Sequence, residues 1–189
     1  MKLISLLEKL EYTCLQGSTD QEVKNVIYDS RKVEEGSLFI CIRGAVVDGH
    51  KFVPDVVAKG AKVLIVEEAV EAPEDVTVIL VKNTRYAMAF ISAAYFGYPA
   101  EKLKTIGITG TKGKTTTTYM VKSILENAGY KVGLIGTIEA IIGNKIIPAS
   151  NTTPESYVVQ EYFHEMVEAG CDCVVMEVSS QGLMLHRTQ

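Results

Sequence analysis

Apolar residues follow two rhythms along this chain, and the switching between them outlines its elements. Residues 3 to 10, LISLLEKL, space their apolar groups as a helix does, while NVIYDSR (25 to 31) and SLFICI (37 to 42) read as short strands around a turn at Gly36. HKFVPDVVAKGAKVLIVEE predicts a helix closed by Gly60 and then a buried strand at 62 to 66; VTVILV (76 to 81) predicts a further strand. NTRYAMAFISAAYFGYP predicts a helix that Asn83 or Thr84 caps and that Gly97 and Pro99 end. Beyond it, TIGIT reads as a strand, residues 114 to 128 as a helix stopped by Gly129, KVGLIGT as a strand, and EAIIGNKIIPA as a hairpin turning at Gly-Asn. The loop NTTP, a helix over 155 to 169, Gly170 and the strand CDCVVMEV complete the pattern.

Strand alternating with helix is the pattern of an α/β fold with a parallel sheet and crossover helices. YPAEKLK, residues 98 to 104, is a polar join between two such patterns and sets an expected boundary. The expectation is a small N-terminal α/β domain over 1–98, followed over 99–189 by the first, incomplete part of a P-loop type parallel-sheet domain. The sequence closes with SSQGLMLHRTQ directly after a strand, with no further strands to fill that sheet. We therefore expect the N-terminal portion of a longer protein, cut inside its second domain.

Composition narrows the class. Of 189 residues 47% are apolar and 22% charged, enough for packed cores, and the net charge of −4 argues against a basic nucleic-acid surface. No apolar run approaches the ~18 residues of a membrane span, and MKLISLLEKLEY has no cleavage signal, so the expectation is a cytoplasmic, monomeric protein without membrane insertion. Cys14, Cys41, Cys171 and Cys173 lack the paired spacings of a zinc site or disulfide framework and read as buried or inert thiols, although C-x-C can bind metal.

The stretch TIGITGTKGKTTTTYM (105 to 120) carries the chemistry. A short loop between a buried strand and a helix exposes successive N–H groups, and the helix N-terminus adds its positive dipole end, so phosphate is favoured there. Gly107, Gly110 and Gly113 allow close backbone approach; Lys114 supplies a cation for phosphates and the Thr115 hydroxyl a Mg²⁺ ligand. The loop is tighter than G-x-x-x-x-G-K-[ST], because Ile108 stands where that motif has its first glycine. A glycine-rich turn with a solvated lysine is the plainer alternative, and the strand before and helix after the loop speak against it. Glu177, at the end of the apolar run VVMEV, is the candidate second metal ligand, since open α/β sheets place ligands at the carboxyl ends of their strands.

Taken with DSR (29 to 31) followed by GSLFICIRG, NTTP (151 to 154) and EVSSQGLMLHR (177 to 187), the segment TGTKGKTT resembles the Mur ligases, in particular the MurE-type branch of UDP-N-acetylmuramoyl-dipeptide amino-acid ligases. NTTP with EVSS separates that branch from its relatives. The resemblance spans nearly the whole chain and implies that 1–98 is a substrate-binding domain for the UDP-linked ligand and 99–189 the first part of the ATPase domain. It implies ATP and Mg²⁺ as cofactors, UDP-N-acetylmuramoyl-dipeptide and an amino acid (meso-diaminopimelate or lysine) as partners, and amide formation through an acyl phosphate. By motif matching, Gly110, Thr111, Lys112, Gly113, Lys114, Thr115 and Thr116 would hold the nucleotide, with Lys114 and Glu177 catalytic and Thr115 and Glu177 at the metal. Ser30 would touch the UDP portion with Gly44 nearby, Asn151, Thr152 and Thr153 would hold the muramoyl-peptide, and Ser179 and Arg187 would bind its polar or anionic groups.

Blander roles stand beside these: Ser30 as a turn residue, Thr152 and Thr153 as caps for the helix that Pro154 begins, Arg187 as a solvated charge. Lys112 replaces the family's usual asparagine and either adds a cation beside the phosphates or points into solvent. Gln181 replaces a family histidine implicated with a second Mg²⁺, which leaves that second site in question. His186 matches another family histidine, and His50 and His164 read as structural or exposed. The family's carbamylated lysine and C-terminal amino-acid pocket fall outside this sequence, so the polypeptide alone is expected not to turn over. A non-catalytic nucleotide or UDP-sugar binding module, another Mur-type ligase and a general P-loop NTPase are the competing readings; the short loop and the DSR segment disfavour the last.

Overall fold

The computed structural model describes residues 1–44 and 47–189, and the chain divides into two compact units, Met1–Tyr95 and Phe96–Gln189. In the first unit the order is α1 (Leu3–Leu6), β1 (Thr13–Gln16), β2 (Asn25–Ile27), β3 (Ser37–Ile40), α2 (Val53–Ala58), β4 (Val63–Val66), β5 (Thr77–Leu80) and α3 (Thr84–Tyr95). The five strands form one sheet in the order β1-β5-β4-β3-β2. β2 through β5 run parallel and only β1 pairs antiparallel, against β5. β3 and β4 are buried at every position, the signature of strands covered on both faces. Phe39, Leu64, Val66 and Val78 join Val53 and Val56 of α2 in one core.

Two local expectations change. The helix expected over 3 to 10 is only Leu3–Leu6: Leu3, Leu6 and Leu7 are buried, but Ile4 is 51% exposed and the chain turns away after one turn. The edge strand β1 was not expected, because none of its four residues is buried and no alternation marks it. Main-chain pairing with β5 makes it, and Gln16 Nε2 pins its end by donating to the Val76 carbonyl at 2.8 Å. The cap of α3 is as expected: Asn83 Oδ1 accepts from the Tyr86 amide at 2.9 Å.

The second unit runs β6 (Lys104–Ile108), α4 (Lys114–Asn127), β7 (Val132–Ile135), β8 (Glu139–Ile142), β9 (Lys145–Pro148), α5 (Ser156–Glu168), β10 (Cys173–Glu177) and α6 (Ser180–Met184). Its sheet order is β6-β10-β7-β8-β9, so the last strand inserts between the first two, parallel to both. β8 and β9 form the expected hairpin, turning at Gly143, whose φ of +57° suits glycine.

β10 is buried at all five positions and sorts its side chains by alternation. Val174 and Met176 face a core with Val159, Phe163 and Met166 of α5. Cys173 and Val175 face the other side, against Val121 and Leu125 of α4. Two residues further along that second face stands Glu177, which the same period directs toward α4.

Phe39 is 1% exposed. Phe39→Ala is expected to destabilise the first unit by about 3–5 kcal/mol, because the cavity adds to the lost transfer free energy; chemical denaturation followed by circular dichroism measures it.

Candidate functional site

Three strand ends meet in the second unit: the loop after β6, the Gly136–Thr137 turn after β7, and Glu177 closing β10. The β6 loop uses glycine for its backbone angles. Gly110 has φ +149° and Gly113 φ +78°, with no atom within 4 Å of a Cβ built at Gly113, so conformation and not space demands glycine there. Gly113 caps α4 without any side chain, which leaves the first helical N–H groups unclaimed by a capping side chain and free to meet an anion. Lys114 folds back so that Nζ donates to the Gly110 carbonyl at 2.9 Å, holding the ammonium over the loop. Thr111, Lys112, Gly113 and Thr116 are exposed along the same turn, with Lys114 and Thr115 half-buried.

Glu177 is 1% exposed and its carboxylate is met by donors from both neighbouring strand ends. Thr115 Oγ donates to Oε2 at 3.0 Å, Thr137 Oγ to the same oxygen at 3.1 Å, and the Thr137 amide to Oε1 at 2.8 Å. Gly136 leaves room for this carboxylate: a Cβ there would lie 2.7 Å from Oε1 and would force Glu177 off its donors. Two hard oxygens, from Thr115 and Glu177, thus lie side by side next to a phosphate-type loop. Their separation matches the edge of an octahedron with metal–oxygen distances of about 2.1 Å, which spans about 3 Å, so the donor set fits a magnesium ion.

The NTTP loop closes on this point from above. Thr153 is buried; its hydroxyl donates to the Glu177 carbonyl at 2.9 Å and accepts from the Ser179 amide at 3.0 Å. Thr152 Oγ lies 3.1 Å from Thr137 Oγ, and Asn151 is exposed. Capping is therefore not the role of the two threonines: α5 begins at Ser156, with Glu155 at its N-cap and no side-chain cap bond. Ser179 instead caps α6, accepting from the Gly182 amide at 3.0 Å. Arg187 is not a solvated charge; only 13% of its side chain is exposed, with NH1 donating to the Thr153 carbonyl and NH2 to Glu155 at 2.7 Å. Gln181 is exposed on α6, and His186 has a left-handed φ of +54°. His164 packs its ring against Phe96.

Sequence reasoning passed over Thr137, Gly136 and Tyr119. The first two follow the apolar run VGLI at a strand's carboxyl end, the same signal that marked Glu177. Tyr119 lies one turn after Thr115 on α4, and its hydroxyl donates to Glu139 at 2.8 Å; the Glu139 carbonyl in turn accepts from the Gly136 amide at 3.0 Å.

In the first unit the parallel strands likewise direct their carboxyl ends to one edge. Ser30 follows β2 and opens a 3-10 turn capped by Asp29, whose carboxyl the Arg31 guanidinium holds down at about 2. Gly44 follows β3 and donates its amide to the Val47 carbonyl at 2.9 Å, where a Cβ would collide with that oxygen. His50 is buried and accepts from the amide of Glu67, which directly follows β4. Cys41, Cys171 and Cys173 are buried and Cys14 is exposed. No helix among the described residues is long and apolar enough to cross a membrane.

Residues 108–189 match the Mur ligase middle domain, and residues 22–96 match the domain described as Mur ligase family, catalytic domain. The UDP-N-acetylmuramoyl-L-alanyl-D-glutamate--2,6-diaminopimelate ligase of Clostridium perfringens (strain 13 / Type A) is 54% identical over 187 residues, 99% of this chain and 39% of that protein. The protein of the same name from Clostridium tetani (strain Massachusetts / E88) is 48% identical over 190 residues, again 99% and 39%. The chain thus spans 39% of the length of these curated relatives. Among solved structures, the UDP-N-acetylmuramoylalanyl-D-glutamyl-2,6-diaminopimelate--D-alanyl-D-alanyl ligase of Acinetobacter baumannii superimposes with TM-score 0.63 at 28% identity, over 95% of this chain and 36% of that one. A UDP-N-acetylmuramoyl-L-alanyl-D-glutamate--2,6-diaminopimelate ligase superimposes with TM-score 0.77 at 22% identity, over 99% and 37%, which speaks to the fold alone.

The Tyr119 phenol is pushed up to about 12 by burial first, then by its bond to Glu139 and the charges of Glu139 and Glu177. A raised acid favours its neutral form in the folded state, so this contribution to stability is whole below the ordinary value of 10.0 and is lost as pH rises through about 12. Difference absorbance titration of the native chain against Tyr119→Phe is expected to show one phenol ionising near 12, and Glu139→Gln is expected to lower it.

Proposed function

This chain belongs to the Mur ligase family, and on that premise we propose that it supplies the UDP-substrate and ATP-binding portions of a ligase that adds 2,6-diaminopimelate to UDP-N-acetylmuramoyl-L-alanyl-D-glutamate in peptidoglycan synthesis. The observation that carries the reading is the Thr115–Glu177 pair at 3.0 Å beside the Gly110–Lys114 loop. The names of the relatives support the choice of amino acid.

A carboxylate is a poor electrophile, and ATP with Mg²⁺, when bound, would transfer its γ-phosphoryl group to the D-glutamate carboxylate with release of ADP, giving an acyl phosphate from which the attacking amine displaces inorganic phosphate. The residues of this chain position and neutralise. The amides of the loop and of the α4 N-terminus would receive phosphate oxygens, and Lys114, held over the loop by the Gly110 carbonyl, would supply its ammonium to them. Thr115 and Glu177 would hold the magnesium ion through their side-chain oxygens. Thr137 holds Glu177 in that orientation from a second strand end and touches Thr152, linking the metal side to the loop assigned to the muramoyl-peptide. Thr153, by bonding the Glu177 carbonyl, fixes that loop at a set height above the strand. Arg187, braced by Glu155 and bonded to the Thr153 carbonyl, is the cation proposed to meet an anionic group of the peptide. In the first unit Ser30 and Gly44 face the UDP portion at the carboxyl edge of the parallel strands.

Calorimetry tests both halves. Lys114→Ala is expected to weaken ATP·Mg²⁺ binding by about 10- to 100-fold, the worth of a charge-assisted contact to phosphate, while Lys112→Asn leaves it unaltered. Ser30→Ala is expected to weaken UDP-N-acetylmuramoyl-dipeptide binding and spare ATP; a native chain that binds ATP but shows no affinity for the UDP ligand would sink the reading. Thr137→Val is expected to raise several-fold the Mg²⁺ concentration at which ATP binding is half-maximal, and an unchanged Mg²⁺ requirement would remove Thr137 from the site.

A further inference from the structure

At the carboxyl edge of the first sheet, Asp48, His50 and Glu68 bring one ligand atom each to within 4.8 Å of one another, which on position alone resembles a metal cluster. The hydrogen bonds give it another meaning. His50 Nε2 accepts from the Glu67 main-chain N–H at 2.9 Å. A nitrogen that accepts carries no proton, so the proton of the ring sits on Nδ1 and is donated to Asp48 Oδ1, 2.6 Å away. Both ring nitrogens are used and neither offers a lone pair to a metal. The cation among these carboxylates is Arg43, which donates to Asp48 at 3.3 Å and to Glu68 at 2.9 Å and lies 3.9 Å from Glu67.

What the ring joins is specific. Arg43 and Asp48 form an isolated antiparallel bridge across the base of the segment that starts at Gly44, and the Gly49 amide donates to the Ile42 carbonyl at 2.8 Å just below it. A Cβ at Gly49 would lie 2.7 Å from the Ile42 nitrogen, so the two arms are drawn together as closely as backbone allows. Asp48 Oδ1 also accepts from the His50 amide at 3.0 Å, which locks the carboxylate to the ring. On the far side, Glu67 receives the Thr84 amide and hydroxyl at 2.7 and 2.8 Å. One imidazole therefore ties the segment after β3 to the end of β4 and, through Glu67, to the start of α3.

We propose that His50 is a positioning residue for uridine-diphosphate recognition, holding the Gly44 main chain at the height where it meets the ligand that Ser30 also contacts. The inference rests on the reading of Ser30 and Gly44 as the UDP end of the substrate site. It assigns to His50 no contact with the ligand.

The probe is UDP alone, titrated calorimetrically into the native chain and into His50→Phe, His50→Gln and Ser30→Ala, with ATP·Mg²⁺ as the control ligand for each. Phenylalanine keeps a ring of similar bulk and removes both nitrogens; glutamine keeps a donor and an acceptor on one planar group. His50→Phe is expected to bind UDP about tenfold more weakly, as two lost hydrogen bonds imply, with ATP·Mg²⁺ affinity unchanged, and His50→Gln is expected to recover most of the loss. The imidazole nitrogen spectrum of the native chain is expected to show the Nδ1–H tautomer, a readout that needs no substituted protein. Native UDP binding weakened by Ser30→Ala but untouched in His50→Phe would overturn this inference alone. A native chain that does not bind UDP would overturn the substrate-site reading and the inference with it.

Discussion

A carboxylate that is 1% exposed at the end of a buried strand costs several kcal/mol of desolvation unless donors meet it, and the second unit is arranged around supplying them to Glu177. The donors come from elsewhere in the chain, from Thr115 after β6 and from Thr137 after β7. Because β10 inserts between those two strands, its last residue lies where both neighbouring strand ends can reach it. The requirement propagates outward. Gly136 must lack a side chain, Glu139 must stay where its carbonyl receives the Gly136 amide, and Tyr119 must hold Glu139 from the same helix that carries Thr115.

That arrangement has a chemical use because of what it leaves ready. Hydroxyl and carboxylate oxygens that bond to one another without a metal are the same atoms a divalent cation would take, so binding exchanges one set of partners for another with little movement. The main chain at Glu177 is also tied to Thr153, and Thr137 reaches Thr152. The loop after β6, the Thr115–Glu177 pair and the NTTP loop are thus parts of one hydrogen-bonded network, which under the proposed function would align phosphoryl donor and acceptor. The first unit applies the same design on a smaller scale: its parallel strands end at one edge, and His50 braces the segments that leave them.

Much of this was legible along the chain, and the misses have physical causes. β3, β4 and β10 announce themselves as apolar runs because they are covered on both faces, and the hairpin at Gly143 is announced by its turn residues. β1 gave no signal, since main-chain pairing with β5 makes it and its side chains contribute little burial. For Thr153, read as a peptide contact, capping of the next helix stood as the plainer alternative because threonine before proline often caps; its bond to the Glu177 carbonyl removes that alternative. Thr137 was invisible for a related reason: a threonine after an apolar run is common, and only the arrival of β10 beside β7 puts a carboxylate within its reach.

The sequence by itself determined the α/β class, the phosphate-type loop with Lys114 and Thr115, the acid at the end of VVMEV and the family resemblance, because each depends on residues close together in the chain. Tertiary structure alone decided that Thr115 and Thr137 share one oxygen of Glu177, that Arg187 is braced by Glu155, and that His50 spans Asp48 and Glu67. These contacts join segments whose separation along the chain says nothing about their distance in space. Strand order sets that distance, and a pattern read residue by residue carries the period of a strand without the identity of its neighbours.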